Sequence, residues 1–319
     1  MYILNITTKN NIRLNLSQLS QIFLKTLAYY DIFRYPLTKE EIYYNSPTNG
    51  DTKEYIFNEI DILEKKGLIK KHYDFYFLFN NKENIKRRIL GNKRALKKIR
   101  TARCFSNIIS RFPYIRAVFI SGSLSKGYMD EDSDIDFFVV TKSNRLWIAR
   151  FLLMLFKKIF LFNSKKNFCI NYYITTDNLE IENKNIFTAI ELASLLPMYG
   201  SNIYENLISS NNWIKNYVPN YPKRELKKVK KFNIKITQRI IEPIFNNSIG
   251  EILDDYCMKI FYKYDKRKYH EFNEERFQRS FIFKKNISTH YPESFQPKVL
   301  NALEQKIVCL QIEHNILIN

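Results

Sequence analysis

The chain has 319 residues, 45% hydrophobic and 15% aromatic, which is apolar mass for two or three compact units and too much for a disordered polycation. Fifty-one Lys and Arg against 32 Asp and Glu leave a net charge of +19, and the four cysteines lie far apart without paired spacing. Zinc knuckles and disulfide scaffolds are therefore excluded, and no uncharged run approaches the ~20 residues of a membrane span. From the amino end, Leu16 to Phe33 places Leu19, Ile22, Phe23, Leu27 and Tyr30 at helical spacing, and Pro36 stops that helix. Thr38 with Glu41 has the form of a capping box opening a second helix. A third is expected over residues 52–66, with Tyr55, Ile56, Ile60 and Leu63 inward and Gly67 at its end. Leu68 to His72 and Phe75 to Phe79 are short β-like runs around Tyr73 and Asp74.

Three helices followed by a hairpin resemble a winged-helix domain, here residues 1–82. In DNA-binding winged helices the third helix enters the major groove. In this chain that helix reads Asp51, Lys53, Glu54, Glu59, Asp61, Glu64, Lys65 and Lys66, acidic over most of its length and poorly suited to phosphate, so packing or dimerisation is the expected use. Ile85 to Phe112 reads as one long basic helix with Ile89, Leu96, Ile99, Ala102, Phe105 and Ile109 on its apolar side, ended by Pro113. The charge is concentrated. Lys82 to Arg103 holds ten basic residues and one acidic, and Lys223 to Arg239 holds eight and one, so two segments carry +16 of the +19. Such focused potential attracts a polyanion, RNA, DNA or a nucleotide phosphate, or else is simply a solvated helix face in a Lys- and Asn-rich chain.

Ile115 to Ser121 has the β-branched and aromatic character of a buried strand. It runs into Ser121-Gly122-Ser123-Leu124-Ser125-Lys126-Gly127, and ten residues after Ser123 come Ser133-Asp134-Ile135-Asp136 and the apolar run Phe137 to Val140. A glycine at the turn lets backbone N–H groups approach phosphate oxygens. Asp134 and Asp136, spaced i, i+2, are expected on one face of the second strand, where two oxygen ligands suit Mg²⁺. A carboxylate at the start of an apolar strand is costly unless something compensates it.

On Gly122, Ser123, Gly127, Ser133, Asp134 and Asp136, the segment from about Ile115 to Thr141 resembles the nucleotidyltransferases of the DNA polymerase beta superfamily, in their minimal Gly-Ser, Asp-x-Asp form. The resemblance implies an α+β fold: a polymerase-beta-like domain, a mixed sheet with helices on it, at residues 83–185. It would sit between the winged-helix-like domain and a helical C-terminal domain at residues 186–319. It also implies that Gly122 and Ser123 hold the triphosphate of an NTP and that Asp134 and Asp136 bind Mg²⁺ or Mn²⁺; Lys126, from its place in the loop alone, is either a phosphate partner or a solvated lysine. Phosphoryl-type transfers are served mainly by positioning and metal neutralisation of charge, which agrees.

Active members usually add a third carboxylate from a later strand. After the apolar helix Leu146 to Phe162, the matching position in Phe168 to Thr175 is Asn171, whose amide is neutral and takes no proton. Asp177 or Glu180 would substitute if the chain bends back. His72, His270, His290 and His314 are scattered without metal spacing, and no His accompanies Ser121 or Ser123 as a base. The C-terminal third reads as helices at 186–196, 203–209, 227–245, 252–264 and 297–314, rich in Tyr and Phe. Three readings follow. The first is a nucleotidyltransferase of the cytoplasm moving a nucleoside monophosphate to a hydroxyl acceptor, with RNA, DNA or another polyanion as its partner and no membrane. The second is a degenerate nucleotide-sensing or nucleic-acid-binding regulatory module. The third is a structural homodimer.

Overall fold

The computed structural model describes residues 16–48, 50–79, 82–164, 166–292 and 295–318. Packing separates the chain into two compact units, bounded as Met1–Ile85 with Lys298–Asn319, and Lys86–Pro297.

In the first unit, α1 (Gln18–Ile32), α2 (Lys39–Asn45) and α3 (Lys53–Lys65) precede a hairpin of β1 (Lys70–His72) and β2 (Phe75–Phe77). Each helix starts where a hydroxyl satisfies an otherwise orphaned N–H: Ser17, Thr38 and Thr52 accept from Ser20, Glu41 and Tyr55. Thr38 and Glu41 complete a reciprocal capping box. Ile56, Ile60 and Leu63 are fully buried, but Tyr55, expected inward, is 53% exposed. It precedes the i, i+4, i+7 stripe by one position and points off the buried face. The chain from Lys298 belongs to this unit, where Lys306 pairs with Asp31.

The second unit contains α4 (Glu83–Ile109) from Lys86 on, β3 (Ile115–Ile120), α5 (Gly122–Ser125), β4 (Asp136–Thr141), α6 (Leu146–Phe160) and β5 (Cys169–Thr175). It continues with α7 (Ile186–Ser194), β6 (Leu196–Tyr199), α8 (Ser201–Ser210), α9 (Ile236–Ile241), α10 (Ser248–Lys268), α11 (Glu274–Ser280), β7 (Phe281–Phe283), β8 (Ile287–His290) and the start of α12 (Phe295–His314). Six strands form one sheet in the order β6-β3-β4-β5-β8-β7, mixed because β4 and β5 are parallel and every other pair is antiparallel. Helix α6 is the crossover that a parallel pair requires. On one face Val118, Ile120, Phe137, Val139 and Tyr173 pack with Ala95, Ala102, Trp147, Leu153, Cys257 and Phe261 of α4, α6 and α10. The other face is a row of rings: Phe119 lies 5.9 Å from Phe138, Phe138 4.6 Å from Tyr172, and Tyr172 6.4 Å from Tyr291, with Tyr204 of α8 5.5 Å from Phe119.

The α+β fold and mixed sheet accord with expectation, but residues 186–319 are not one separate helical body. They supply β6, β7 and β8, runs of three or four residues too short to show alternation. The helix expected at 227–245 shrinks to α9 and a 3₁₀ turn at Glu242–Phe245. Before it the chain runs extended beside Tyr199, and Lys230 O accepts from Gly200 N–H at 2.8 Å, satisfying the edge of the sheet. In α4 most of the expected side is inward, with Ala102 and Ile109 fully buried and Ile99 and Phe105 packed on the core, but Ile89 and Leu96 are 41% and 74% exposed, while Ala95 is buried. The Tyr128 ring sits where a side chain on Gly91 would be, a Cβ there falling 2.2 Å from Tyr128 Cε2, so the small residues must face inward.

Candidate active site

Strand β3 delivers the chain to Gly122, whose φ is +64° and whose added Cβ would stand 2.5 Å from Asp136 Oδ2. Both the left-handed backbone and the close approach require glycine. Ser121 N–H donates to Asp136 O at 3.0 Å, which locks the turn to the start of β4. Ser123 O accepts the N–H groups of Lys126 and Tyr128, each at 3.1 Å, so the loop closes on itself. Lys126 Nζ donates to Gly122 O at 3.1 Å and to Glu191 Oε1 at 2.7 Å.

Asp136 opens β4, whereas Asp134, expected on the same strand, lies just before it. The β4–β5 register passes from Phe137↔Ile170 to Phe138↔Tyr172, so Asn171 is an extra residue, a bulge. Bulges re-aim side chains. Here Asn171 Nδ2 donates to Asp136 Oδ1 at 2.9 Å. Burial, then the charges of Asp134 and Glu191, push the Asp136 carboxyl up to about 7, with Lys126 opposing. The structure thus brings Gly122, Lys126, Asp136 and Asn171 into contact or hydrogen-bond relay, with Asp134 close enough to act on Asp136 electrostatically. Ser123 contributes backbone closure. Among the described residues no group of three or more His, Cys, Asp or Glu is gathered to hold a metal.

The neighbouring carboxylates are occupied. Asp130 pairs with Arg87 and Glu131 with Arg94, both from α4. Asp177 does not join the site: it hydrogen-bonds Thr175 and Ser143 at the far end of β5, and Glu180 pairs with Lys184 at 2.7 Å. The extra carboxylate near the site is Glu191, on α7, which the motif search missed. Its signal in the sequence is faint: one acid in the otherwise uncharged Ile186–Ser194, between Ile190 and Leu192, both buried in the fold. Arg224 fixes this helix to the turn, donating to Ser125 O at 2.9 Å, to Leu195 O at 3.1 Å and to Ser194 O. His290 lies beside Asp265, Nδ1 to Oδ2 3.5 Å, on the strand position alternate to Tyr291, and so faces away from the site.

No helix among the described residues is long and apolar enough to cross a membrane. Neither the comparison with curated proteins nor that with solved structures found a match. The stretch that holds Gly122, Asp134, Asp136 and Asn171 matches a family model: residues 105–189 are similar to the family described as Polymerase beta, Nucleotidyltransferase.

Proposed function

We propose that the protein transfers a nucleoside monophosphate from a nucleoside triphosphate to a hydroxyl acceptor, with Mg²⁺ bound at Asp134 and Asp136. The observation that carries this is the Asp136 carboxylate, pressed against Gly122 in a site with more negative than positive charge. A divalent cation is the group that would relieve that excess, so the residues fit one. When bound it would neutralise charge on the phosphates. The chain's own residues do the rest. The Gly122 turn offers unobstructed backbone to the β- and γ-phosphates, and Lys126 leaves Glu191 for a phosphate oxygen. Asn171 holds Asp136 in one orientation. Glu191, freed from Lys126, takes the proton of the acceptor hydroxyl as that oxygen bonds to the α-phosphorus and pyrophosphate departs. Exposed lysines of the two basic segments favour a polyanionic acceptor, and the acidic α3 favours a winged-helix-like unit used for packing.

Pyrophosphate release with each NTP, Mg²⁺ and a pool of hydroxyl acceptors tests this, with Asp136→Ala as control. Release that the variant abolishes is expected. No release from any NTP, with nucleotide binding unchanged in the variant, would overturn it. One observation favours a second reading, a nucleotide-sensing module without turnover: Asn171 stands where a third carboxylate is usual and occupies Asp136 Oδ1. Tight NTP binding without pyrophosphate would select that reading.

A further inference from the structure

We propose that the exposed isoleucine face of α9 and α10, with the cations beside it, seats the protein on the surface of an anionic lipid bilayer. Such seating is independent of nucleotidyl transfer and is peripheral, since no helix among the described residues is long and apolar enough to cross a membrane. The isoleucines are scattered across two helices and a 3₁₀ turn, and they form a face only in the fold.

Exposed aliphatic surface is concentrated in this region. Among the described residues ten isoleucines are exposed, and seven of them lie between Ile234 and Ile260. Ile236 is 76% exposed, Ile240 65%, Ile244 58%, Ile249 67% and Ile252 70%, with Tyr256 at 61% in the same run. They point outward because their elements are held from beneath. In α9 the buried Gln238 donates to Ser110 O, Phe112 O and Ile115 O, so Ile236 and Ile240, one turn apart, take the opposite side. In α10 Gly250, Asp254, Cys257, Phe261 and Asp265 make the buried side, and Ile249, Ile252, Tyr256 and Ile260 follow at i, i+3, i+7 and i+11 on the other. The two stretches are locked together. Arg145 clamps the turn between them, Nε donating to Phe245 O at 2.8 Å and Nη2 to Asn247 O at 3.0 Å, and a Cβ at Gly250 would run into Phe245 O. Six such side chains present on the order of 600 Å² of apolar surface, at or above what a soluble monomer usually leaves exposed in one patch.

Charge decides what covers the face. Arg239 of α9 and Lys259, Lys263 and Arg267 of α10 are exposed, and Lys263 and Arg267 continue the α10 stripe at its own spacing. Five carboxylates lie between Lys231 and Lys268. Glu242, Asp254 and Asp265 are buried and Asp255 pairs with Lys285 at 3.2 Å, which leaves Glu251 exposed among the cations. A second copy of the chain would set these cations against their own counterparts. A nucleic acid would meet the cations but give the isoleucines nothing in which to be buried. Anionic lipid supplies both, phosphate headgroups for Arg239, Lys259, Lys263 and Arg267 and an acyl boundary for the isoleucines, with Tyr256 suited to the depth between. The face also lies away from the site. Gln238 and Glu242 hold the chain where β3 begins, through Ile115 O and Arg116, and the Gly122 turn follows the other end of that strand. Six residues of strand separate the two ends by about 20 Å, so seating on lipid keeps Gly122 and Asp136 clear of the bilayer.

The test floats the full-length protein with vesicles of phosphatidylglycerol and phosphatidylcholine, and with vesicles of phosphatidylcholine alone. Wild type is compared with the double variant Ile249→Ser, Ile252→Ser, which keeps the charge, and with Lys259→Glu, Lys263→Glu, which keeps the isoleucines. Urea unfolding verifies that both fold, as expected for substitutions at exposed positions. A Tyr256→Trp variant reads insertion through quenching of its added fluorescence by brominated lipid, and light scattering gives the mass in solution. Wild type is expected to float with the anionic vesicles alone, both double variants to bind them about tenfold more weakly, and the added Trp to be quenched. No binding to anionic vesicles, binding that the isoleucine variant leaves intact, or an unquenched Trp would overturn the proposal. A wild-type dimer that the isoleucine variant converts to monomer would overturn it too, by assigning the face to a second copy. Flotation needs no turnover, so either result leaves the nucleotidyl-transfer reading where it stands.

Discussion

Asp136→Asn is expected to make the Lys86–Pro297 unit more stable above neutral pH, by an amount that vanishes in acid. The side chain keeps an oxygen to accept from Asn171 Nδ2 and keeps its shape against Gly122, so the substitution removes charge and little else. The folded carboxyl is raised from 3.8 to about 7. For an acid raised in this way, the folded state holds a proton that the unfolded state has lost between those two values. Stability therefore falls as pH rises through the window, with the penalty absent below about pH 4 and complete above about pH 7. At 1.36 kcal/mol per tenfold the full penalty is about 4 kcal/mol, an upper figure because the carboxylate keeps some contact with water. Both tryptophans, Trp147 and Trp213, lie in this unit, so urea unfolding followed by tryptophan fluorescence reads it apart from the other. The gap between variant and wild type should widen by roughly 1.4 kcal/mol per pH unit from pH 4.5 to 7 and then level off. Saturating Mg²⁺ should close it by stabilising wild type alone. A variant no more stable than wild type at pH 8, or a gap independent of pH, would refute the charge excess on which the cation fit rests.

Three further substitutions probe the same scaffold. Gly122→Ala forces a Cβ to 2.5 Å from Asp136 Oδ2 at a φ of +64°, so pyrophosphate release should be lost and stability should fall by about 1–2 kcal/mol on strain alone; an active variant would show that Asp136 need not touch the turn. Glu242→Ala removes the carboxylate that holds buried Arg116 by two bonds of 2.7 and 2.9 Å and also accepts Tyr114 N–H, and denaturant curves should show a loss of about 3–5 kcal/mol. Arg224→Ala frees Ser125, Ser194 and Leu195 carbonyls and should lower kcat about tenfold with KM for NTP little changed, partly rescued by added guanidinium; a pure loss of stability without a kcat effect would reduce Arg224 to a packing residue.

What could be read from the sequence was local. Gly122 and the Asp134–Asp136 pair are legible because the turn, the strand and the carboxylates all fall within one short stretch, and each residue type has a specific physical reason to be there. The capping box at Thr38 and Glu41 is legible for the same cause. Asn171 is identifiable only as a position. That it bonds Asp136 depends on a bulge, and a bulge depends on pairing between strands that one strand's pattern does not report. Glu191 is harder still, since it is one unremarkable residue until α7 is laid beside the Gly122 turn. The two misplaced residues of α4, Ile89 and Leu96, have a similar origin: hydrophobicity favours Leu96, but the Tyr128 ring demands Gly91, and close packing outweighs one exposed leucine.

The positive charge has a second use that its concentration conceals. Five carboxylates lie between Asp130 and Asp136, which would make that loop a diffuse anion with no preference for where a cation sits. Helix α4 removes that ambiguity. Arg87 takes Asp130, Arg94 takes Glu131, and Asn92 Nδ2 holds Gly127 O at 2.6 Å, so the first part of the acidic loop is pinned to the basic helix. Lys98 does the same for the approach to β5. In the second segment Arg224 binds carbonyls, not anions, and sets the spacing between the Gly122 turn and Glu191. Several of the charges that look like a polyanion's landing surface are thus spent inside the protein, leaving the remaining negative charge around Asp134 and Asp136. Exposed residues such as Lys93, Lys97, Lys228 and Lys231 are left to meet a partner. The salt dependence of acceptor binding should accordingly be shallower than sixteen clustered charges imply, because the internal pairs release no counterions when a partner arrives.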